Sequence, residues 1–202
     1  FMLNYGRLIG KIHHLTKQYQ LPNDDWKRPL WDDPIMTDAT DTLPQLDPAA
    51  MKLAIANLAT LRQLSTPPDS YGMIHQDAHT GNLFVDENGR ITLFDFDDCV
   101  YGHFINDIAI VLFYAITNRP DPTAFCAEFW PLFWCGYCEE NRLDAAWLKE
   151  IPHFMKLREH QLYGIIRRDI PDYGGEGWLA DFMRGRQENI LAERPYIDFD
   201  FS

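Results

Sequence analysis

His75-Gln-Asp77-Ala-His79-Thr-Gly-Asn82, followed thirteen residues beyond Asn82 by Asp95-Phe96-Asp97, is the stretch on which the reading of this 202-residue chain turns. Between the two polar clusters lies Leu83-Phe-Val-Asp-Glu-Asn-Gly-Arg-Ile-Thr-Leu-Phe94, two apolar runs joined by Asn88-Gly89. That dipeptide is the strongest short-range hairpin signal, so the spacing predicts a β-hairpin whose open end brings Asn82 beside Asp95. Asp77 then lies just upstream, in the loop that enters the hairpin.

Two oxygen donors at such a place suit Mg²⁺, which is commonly held by one or two protein groups together with phosphate oxygens and water. Asn82 and Asp95 are the candidate metal and cofactor ligands. A separate carboxylate close by can orient an acceptor hydroxyl and take its proton, the catalytic role expected of Asp77. The spacing itself is specific. His75-Gln-Asp77 with four residues before Asn82 has the H-x-D-x₄-N register of the protein-kinase catalytic loop, and Asp95-Phe96 occupies the place of the kinase metal aspartate after a hairpin.

The segment resembles the aminoglycoside phosphotransferase and choline kinase-like family, whose loop reads H-x-D-x-H-x-x-N; His79 fits that variant rather than the protein-kinase one. Gly102 followed by Asp107-Ile-Ala is similar to the family's continuation, and the resemblance implies that Asp107 braces the loop through hydrogen bonds. Tyr5-Gly-x-Leu-Ile-Gly-x-Ile-His13, Phe133-x-x-Gly136-Tyr137 and Arg186 to Phe201 extend the likeness over nearly the whole chain. The resemblance implies a kinase-like fold, ATP and Mg²⁺ as cofactors, and transfer of the γ-phosphoryl group to a hydroxyl of a small molecule such as an aminoglycoside, amino alcohol, homoserine or sugar. His75 and His79 are expected to hold the loop rather than react.

A full kinase also carries an N-terminal lobe with a β3 lysine, its glutamate partner and a phosphate-covering loop. None of these motifs occurs in the 202 residues, and Lys11 and Lys17 fall on the first predicted helix. Residues 1–202 are therefore expected to be one unit, the C-terminal catalytic lobe of a protein-kinase-like fold without the N-terminal β-lobe, and inactive alone. The expected class is mostly α with a small β-hairpin, α+β overall.

Around this centre the pattern is helical. Leu8, Ile9, Ile12 and Leu15 mark one face of a helix over 5–19, with His13, His14 and Lys17 outside it. Met51, Leu53, Ala54, Leu58 and Leu61 mark a second helix from Pro48, and Tyr71 to Ile74 forms a short extended piece. Helices are expected over Ile105–Ile116, Pro122–Asn141 and, without interruption, about Gly177–Ala192. Residues 20–48, broken by five prolines and rich in aspartate, form a long irregular excursion whose Trp26 and Trp31 either line a substrate site or anchor it to the body.

Composition bounds the function. With 46% hydrophobic and 24% charged residues the chain is an ordinary globular sequence. A net charge of −12 argues against nucleic-acid and anionic-membrane partners. The densest basic stretch, Lys156 to Arg168, places Arg158, Arg167 and Arg168 at helical spacing, as on a solvated face. No run approaches the roughly 18 apolar residues of a membrane span, and the expected location is cytoplasmic. Trp134-Cys135-Gly136-Tyr137-Cys138 imitates a thioredoxin-type site, but it falls inside a predicted helix rather than after a strand.

Two rival readings remain. A metal-dependent hydrolase would gather His75, Asp77, His79, Asp95 and Asp97 around one or two ions through imidazole and carboxylate ligands. A non-catalytic binding module on the same fold would not need Asp77, Asn82 and Asp95 together. Asp97 is an additional metal-ligand candidate, and Asp24, Asp25, Asp32, Asp33 and Asp98 are candidates for attracting a cationic acceptor.

Overall fold

A computed structural model describes residues 1–34, 36, 43–170 and 172–202. Asp38 and Asp41 of the acidic excursion, and the side chain of Asp24, lie outside the described residues. The elements in chain order are α1 (Met2–Thr16), α2 (Pro48–Leu61), β1 (Tyr71–Ile74), β2 (Leu83–Val85), β3 (Ile91–Leu93), β4 (Val100–His103), α3 (Phe104–Ile116), α4 (Pro122–Glu140), α5 (Ile151–Asp169), α6 (Trp178–Met183) and α7 (Arg186–Leu191), with short 3₁₀ turns between some of them. No helix among the described residues is long and apolar enough to cross a membrane.

Helix α3 is the axis of the domain. Every residue in it except Tyr114 is buried, as expected of a helix apolar on all sides. It packs against α1, α4 and α5 and follows directly from β4. The strands form two antiparallel ribbons rather than the one β element expected, β1 with β4 and β2 with β3. The second is nested inside the first. Ile74 pairs with Val100, so the chain leaves β1 for the His75 loop, traverses β2 and β3, and returns through Asp95-Phe-Asp-Asp to β4 at the same end. This nesting brings two polar segments together although they are some twenty residues apart.

The β2–β3 connection is not the two-residue Asn-Gly turn. Asp86 N donates to Arg90 O and Gly89 N donates to Asp86 O, which closes a three-residue loop with Gly89 at φ +75°. The Asp86 carboxylate accepts from the amides of Asn88 and Arg90 and so supplies the turn chemistry.

Helix α1 turns a different face inward from the one its leucines suggest. Tyr5, Gly6, Ile9, Gly10 and His13 are buried, whereas Leu15 is largely exposed. The glycines permit this. A Cβ on Gly6 would sit 1.9 Å from Phe133 O of α4, and one on Gly136 would sit 2.0 Å from Leu3 O, so the two helices cross at backbone contact. Gly136→Ala in the full-length protein is expected to lower stability by about 1–3 kcal/mol through forced separation of the helices, read as a lower urea midpoint. Gly174→Ala, whose new Cβ would meet nothing nearer than 3.7 Å, serves as the neutral control.

One further expectation is corrected. The last helix is broken in two, because Arg184 leaves helical geometry and Gly185 takes a left-handed φ of +65°. In α4 the buried face includes Trp130, while Leu132 is exposed; Cys135 and Cys138 lie exposed on the same helix as free thiols. Of the two excursion tryptophans, Trp31 is buried against His103 and Phe154 and its backbone N–H donates to Tyr101 O, while Trp26 is 65% exposed. Trp31 is the anchor.

Candidate active site

The loop leaving β1 places Asp77 at the centre of a polar cluster. Its Oδ2 accepts from Asn82 Nδ2 at 2.9 Å and faces His79 Nε2 at 3.3 Å. Its Oδ1 accepts from Arg158 Nη2 of α5 at 2.5 Å. Asn82 Nδ2 also reaches the Asp77 backbone carbonyl at 3.0 Å, which folds residues 77–82 into a tight loop. Burial acts to raise the Asp77 carboxyl, but the His79 hydrogen bond, the Arg158 and His79 charges and the Asn82 amide outweigh it and hold the group below the usual carboxylate range. At neutral pH Asp77 is therefore an anion.

The loop hangs from Asp107, which is fully buried in the first turn of α3. Asp107 Oδ2 accepts from His75 N at 2.8 Å and Oδ1 from Gln76 N at 2.7 Å. His13 Nε2 of α1 meets the same Oδ2 at 3.1 Å, and its Nδ1 meets Tyr137 Oη of α4 at 2.9 Å. Tyr5 Oη donates to Ala78 O. Gln76 has φ +69°, a conformation worth roughly 1–3 kcal/mol of strain for a non-glycine residue. Asn106 Nδ2 holds it there by donating to Gln76 Oε1 at 2.8 Å.

At the open end of the β2–β3 hairpin, Phe94 N donates to Asn82 O at 3.0 Å, joining the two polar segments. Asp95 follows at φ +65°. Its carboxylate is exposed, and neither it nor Asn82 Oδ1 has a hydrogen-bond partner among the described residues. Two oxygen acceptors without protein donors, one of them anionic, match the donor preference of Mg²⁺. Asp97 and Asp98 are exposed beyond them, with the Asp97 carbonyl accepting from Arg28.

Both imidazoles are occupied. His75 Nε2 meets Phe94 O at 3.1 Å while its Nδ1 accepts from Asp77 N at 3.3 Å, and its ring lies on Phe96. His79 Nδ1 accepts from Gly81 N at 2.9 Å, which leaves Nε2–H directed at Asp77. Among the described residues no three His, Cys, Asp or Glu side chains converge as a metal-binding group. The five residues that a hydrolase would gather therefore do not form such a group.

Arg158 is the site residue that periodicity misses. Its spacing with Arg167 and Arg168 reads as a solvated face, yet its side chain is only 15% exposed. Besides Asp77 it donates from Nε and Nη2 to Tyr114 Oη, at 3.2 and 2.7 Å. Tyr114 in turn lies against the His79 ring and stacks on Trp178. The signal in the sequence is Tyr114 itself, a phenol in the otherwise wholly apolar run Ile108 to Ile116.

Comparison with known proteins places the chain among small-molecule kinases in sequence and fold. The chain is 38% identical over 203 residues to an amicoumacin kinase of Bacillus subtilis (strain 168), covering 98% of this chain and 60% of that protein. An uncharacterized protein of Deinococcus radiodurans is 27% identical over 171 residues, 85% of this chain and 46% of its own length. Among solved structures, the amicoumacin kinase hAmiN in complex with AMP-PNP, Ca²⁺ and Ami superimposes with a TM-score of 0.82 at 31% identity, over 99% of this chain and 61% of that one. A microcompartment-associated aminopropanol kinase shares the fold, with a TM-score of 0.71 at 22% identity over 95% of this chain and 60% of the other. The chain spans about 60% of the length of the amicoumacin kinases it matches. The model of the phosphotransferase enzyme family matches residues 2–149, nearly three quarters of the sequence and all of the Asp77 cluster except Arg158, and the chain belongs to that family.

Proposed function

We propose that the protein of which these residues form the catalytic lobe transfers the γ-phosphoryl group of ATP to a hydroxyl of a small molecule. The observation that carries this reading is the Asp77 carboxylate, ionised and fixed by Asn82, His79 and Arg158, beside the partner-free oxygens of Asn82 and Asp95. In this reading Asp77 orients the acceptor hydroxyl and takes its proton as the oxygen attacks phosphorus. Asn82 and Asp95 would hold Mg²⁺, which neutralises phosphate charge when bound. Asp107 and His13 position the loop, and His75 and His79 orient its side chains. The likeness to kinases of amicoumacin and aminopropanol supports a small acceptor rather than a protein.

Asp95→Ala tests the metal assignment. It should weaken Mg·ATP binding by at least about 10-fold through loss of an anionic ligand, while metal-free ATP binding changes little. Titration calorimetry on the full-length protein with and without Mg²⁺ reads this directly. Unchanged Mg·ATP affinity would remove Asp95 from the metal site.

A further inference from the structure

Helix α5 presents two opposed faces. Arg158 reaches Asp77, while Lys156 and His160, each two residues from it along the helix, lie about 200° round the axis. His153, Lys156 and His160 share that second side at three- and four-residue spacing. There α2 packs against α5 and α7, and residues of all three helices line a cavity of about 380 Å³. None of the groups that bond to Asp77 lines it. The volume falls in the range of small-molecule sites, roughly 300–1,000 Å³.

Leu53, Ala56, Pro152, Ile190 and Pro195 give the cavity apolar walls. His160 borders the same space, is only 3% exposed, and has neither Nδ1 nor Nε2 bonded among the described residues. Buried polar groups ordinarily have partners, as both nitrogens of His13 do. Burial and the nearby Lys156 charge push His160 down to about 3, so at neutral pH the ring is uncharged and carries one N–H donor and one acceptor nitrogen. Both nitrogens are shut off from water, and the cavity is the side from which a partner can reach them. The rim does not call for an ion. Lys156 donates to Glu159 and, at 3.1 Å, to Arg194 O, and Glu193 opposes its charge across the opening.

We propose that the cavity between α2, α5 and α7 is a second small-molecule site, for an uncharged alcohol or phenol whose apolar body lies on the walls and whose hydroxyl bonds His160. A hydroxyl both donates and accepts, so it can serve either edge of a neutral imidazole. A half-turn of the ring about χ2 exchanges its nitrogen and carbon edges and brings a nitrogen to the cavity. Asn57, whose Nδ2 is taken by His153 O at 3.0 Å, offers its Oδ1 as a further acceptor on the wall. The site stands apart from phosphoryl transfer and does not depend on it.

Titration calorimetry on the full-length protein with 5-indanol and indane, which differ in one hydroxyl, tests this. Wild type should bind 5-indanol with a Kd below about 1 mM, and about 3- to 10-fold more tightly than indane, the range of a single hydrogen bond. His160→Phe keeps a ring in the wall without its nitrogens and should bring the two affinities within about 2-fold of each other. It should fold, because the exchange strands no polar group. Ala56→Trp, from an exposed position on α2 that lines the cavity, fills the space and should abolish binding of both compounds. Asp77→Asn should leave both affinities unchanged, which separates this cavity from the site around Asp77. Thermal melts check that the variants fold. No binding of 5-indanol at about 5 mM, or equal affinities of the pair in wild type, overturns the inference. So does a ratio unchanged in His160→Phe, or binding that survives in Ala56→Trp. The readout is binding alone, so failure here leaves the phosphotransferase reading standing.

Discussion

Asp77→Asn in the full-length protein is expected to lower kcat by roughly 10²- to 10⁴-fold while Mg·ATP affinity stays within about 2-fold of wild type. The substitution preserves the shape of the side chain and one oxygen. It removes the anion that Arg158 faces and the basicity that a hydroxyl proton needs. The fold should survive, because Arg158 keeps Tyr114 Oη and because the loop is suspended from Asp107 rather than from Asp77. The loss should therefore appear in the chemical step. Single-turnover rates with saturating nucleotide, set beside a melting curve, separate the two contributions. Activity near wild type with an intact fold would dismiss Asp77 as the base.

The parts of this site legible in the sequence are those encoded locally. The register of His75, Asp77 and Asn82 survives translation into structure because a loop of six residues closed by its own side chains cannot spread far. The hairpin is legible through alternation, although its turn depends on the Asp86 side chain rather than on Asn88-Gly89 alone. The break at Gly185 was available in principle, since glycine after a helical run is a common helix stop.

What stayed hidden depends on partners distant in sequence. His13 reads as a polar residue on the outer face of α1, and it is fully buried only because Tyr137 and Asp107 satisfy both ring nitrogens. Leu15 reads as core and is exposed, because glycine-to-backbone contact with α4 rotates the helix to a face chosen by closeness rather than hydrophobicity. Arg158 is the same case with a functional outcome. Helical spacing gave it a solvated face, and only the position of α5 across from the His75 loop converts it into the partner of Asp77.

The largest expected effect on stability belongs to Asp107→Ala. Three donors converge on this one carboxylate: the amides of His75 and Gln76 and the ring of His13. Both amides and the ring lie in buried residues, so truncation leaves each without a partner and without water. At about 1–3 kcal/mol per stranded group, less whatever the loop recovers by relaxing, the loss should be about 3–5 kcal/mol, or roughly 10 °C in melting temperature. Gln76 makes the loop less forgiving, because its left-handed backbone is held by the Asp107 bond on one side and by Asn106 on the other. With the bond gone, strain favours release, and Asp77 would lose its place even in molecules that remain folded. Activity should therefore fall further than the folded fraction. Asp107→Asn should recover little, because its amide NH₂ must face one of two backbone N–H donors. His13→Ala removes one of the three donors to Asp107 together with the bond to Tyr137 Oη but leaves both backbone amides held, and its effect on the loop should fall short of Asp107→Ala. Melting temperature and kcat measured across the three variants test this order, and an Asp107→Ala protein as stable and active as wild type would show that the loop is held from elsewhere.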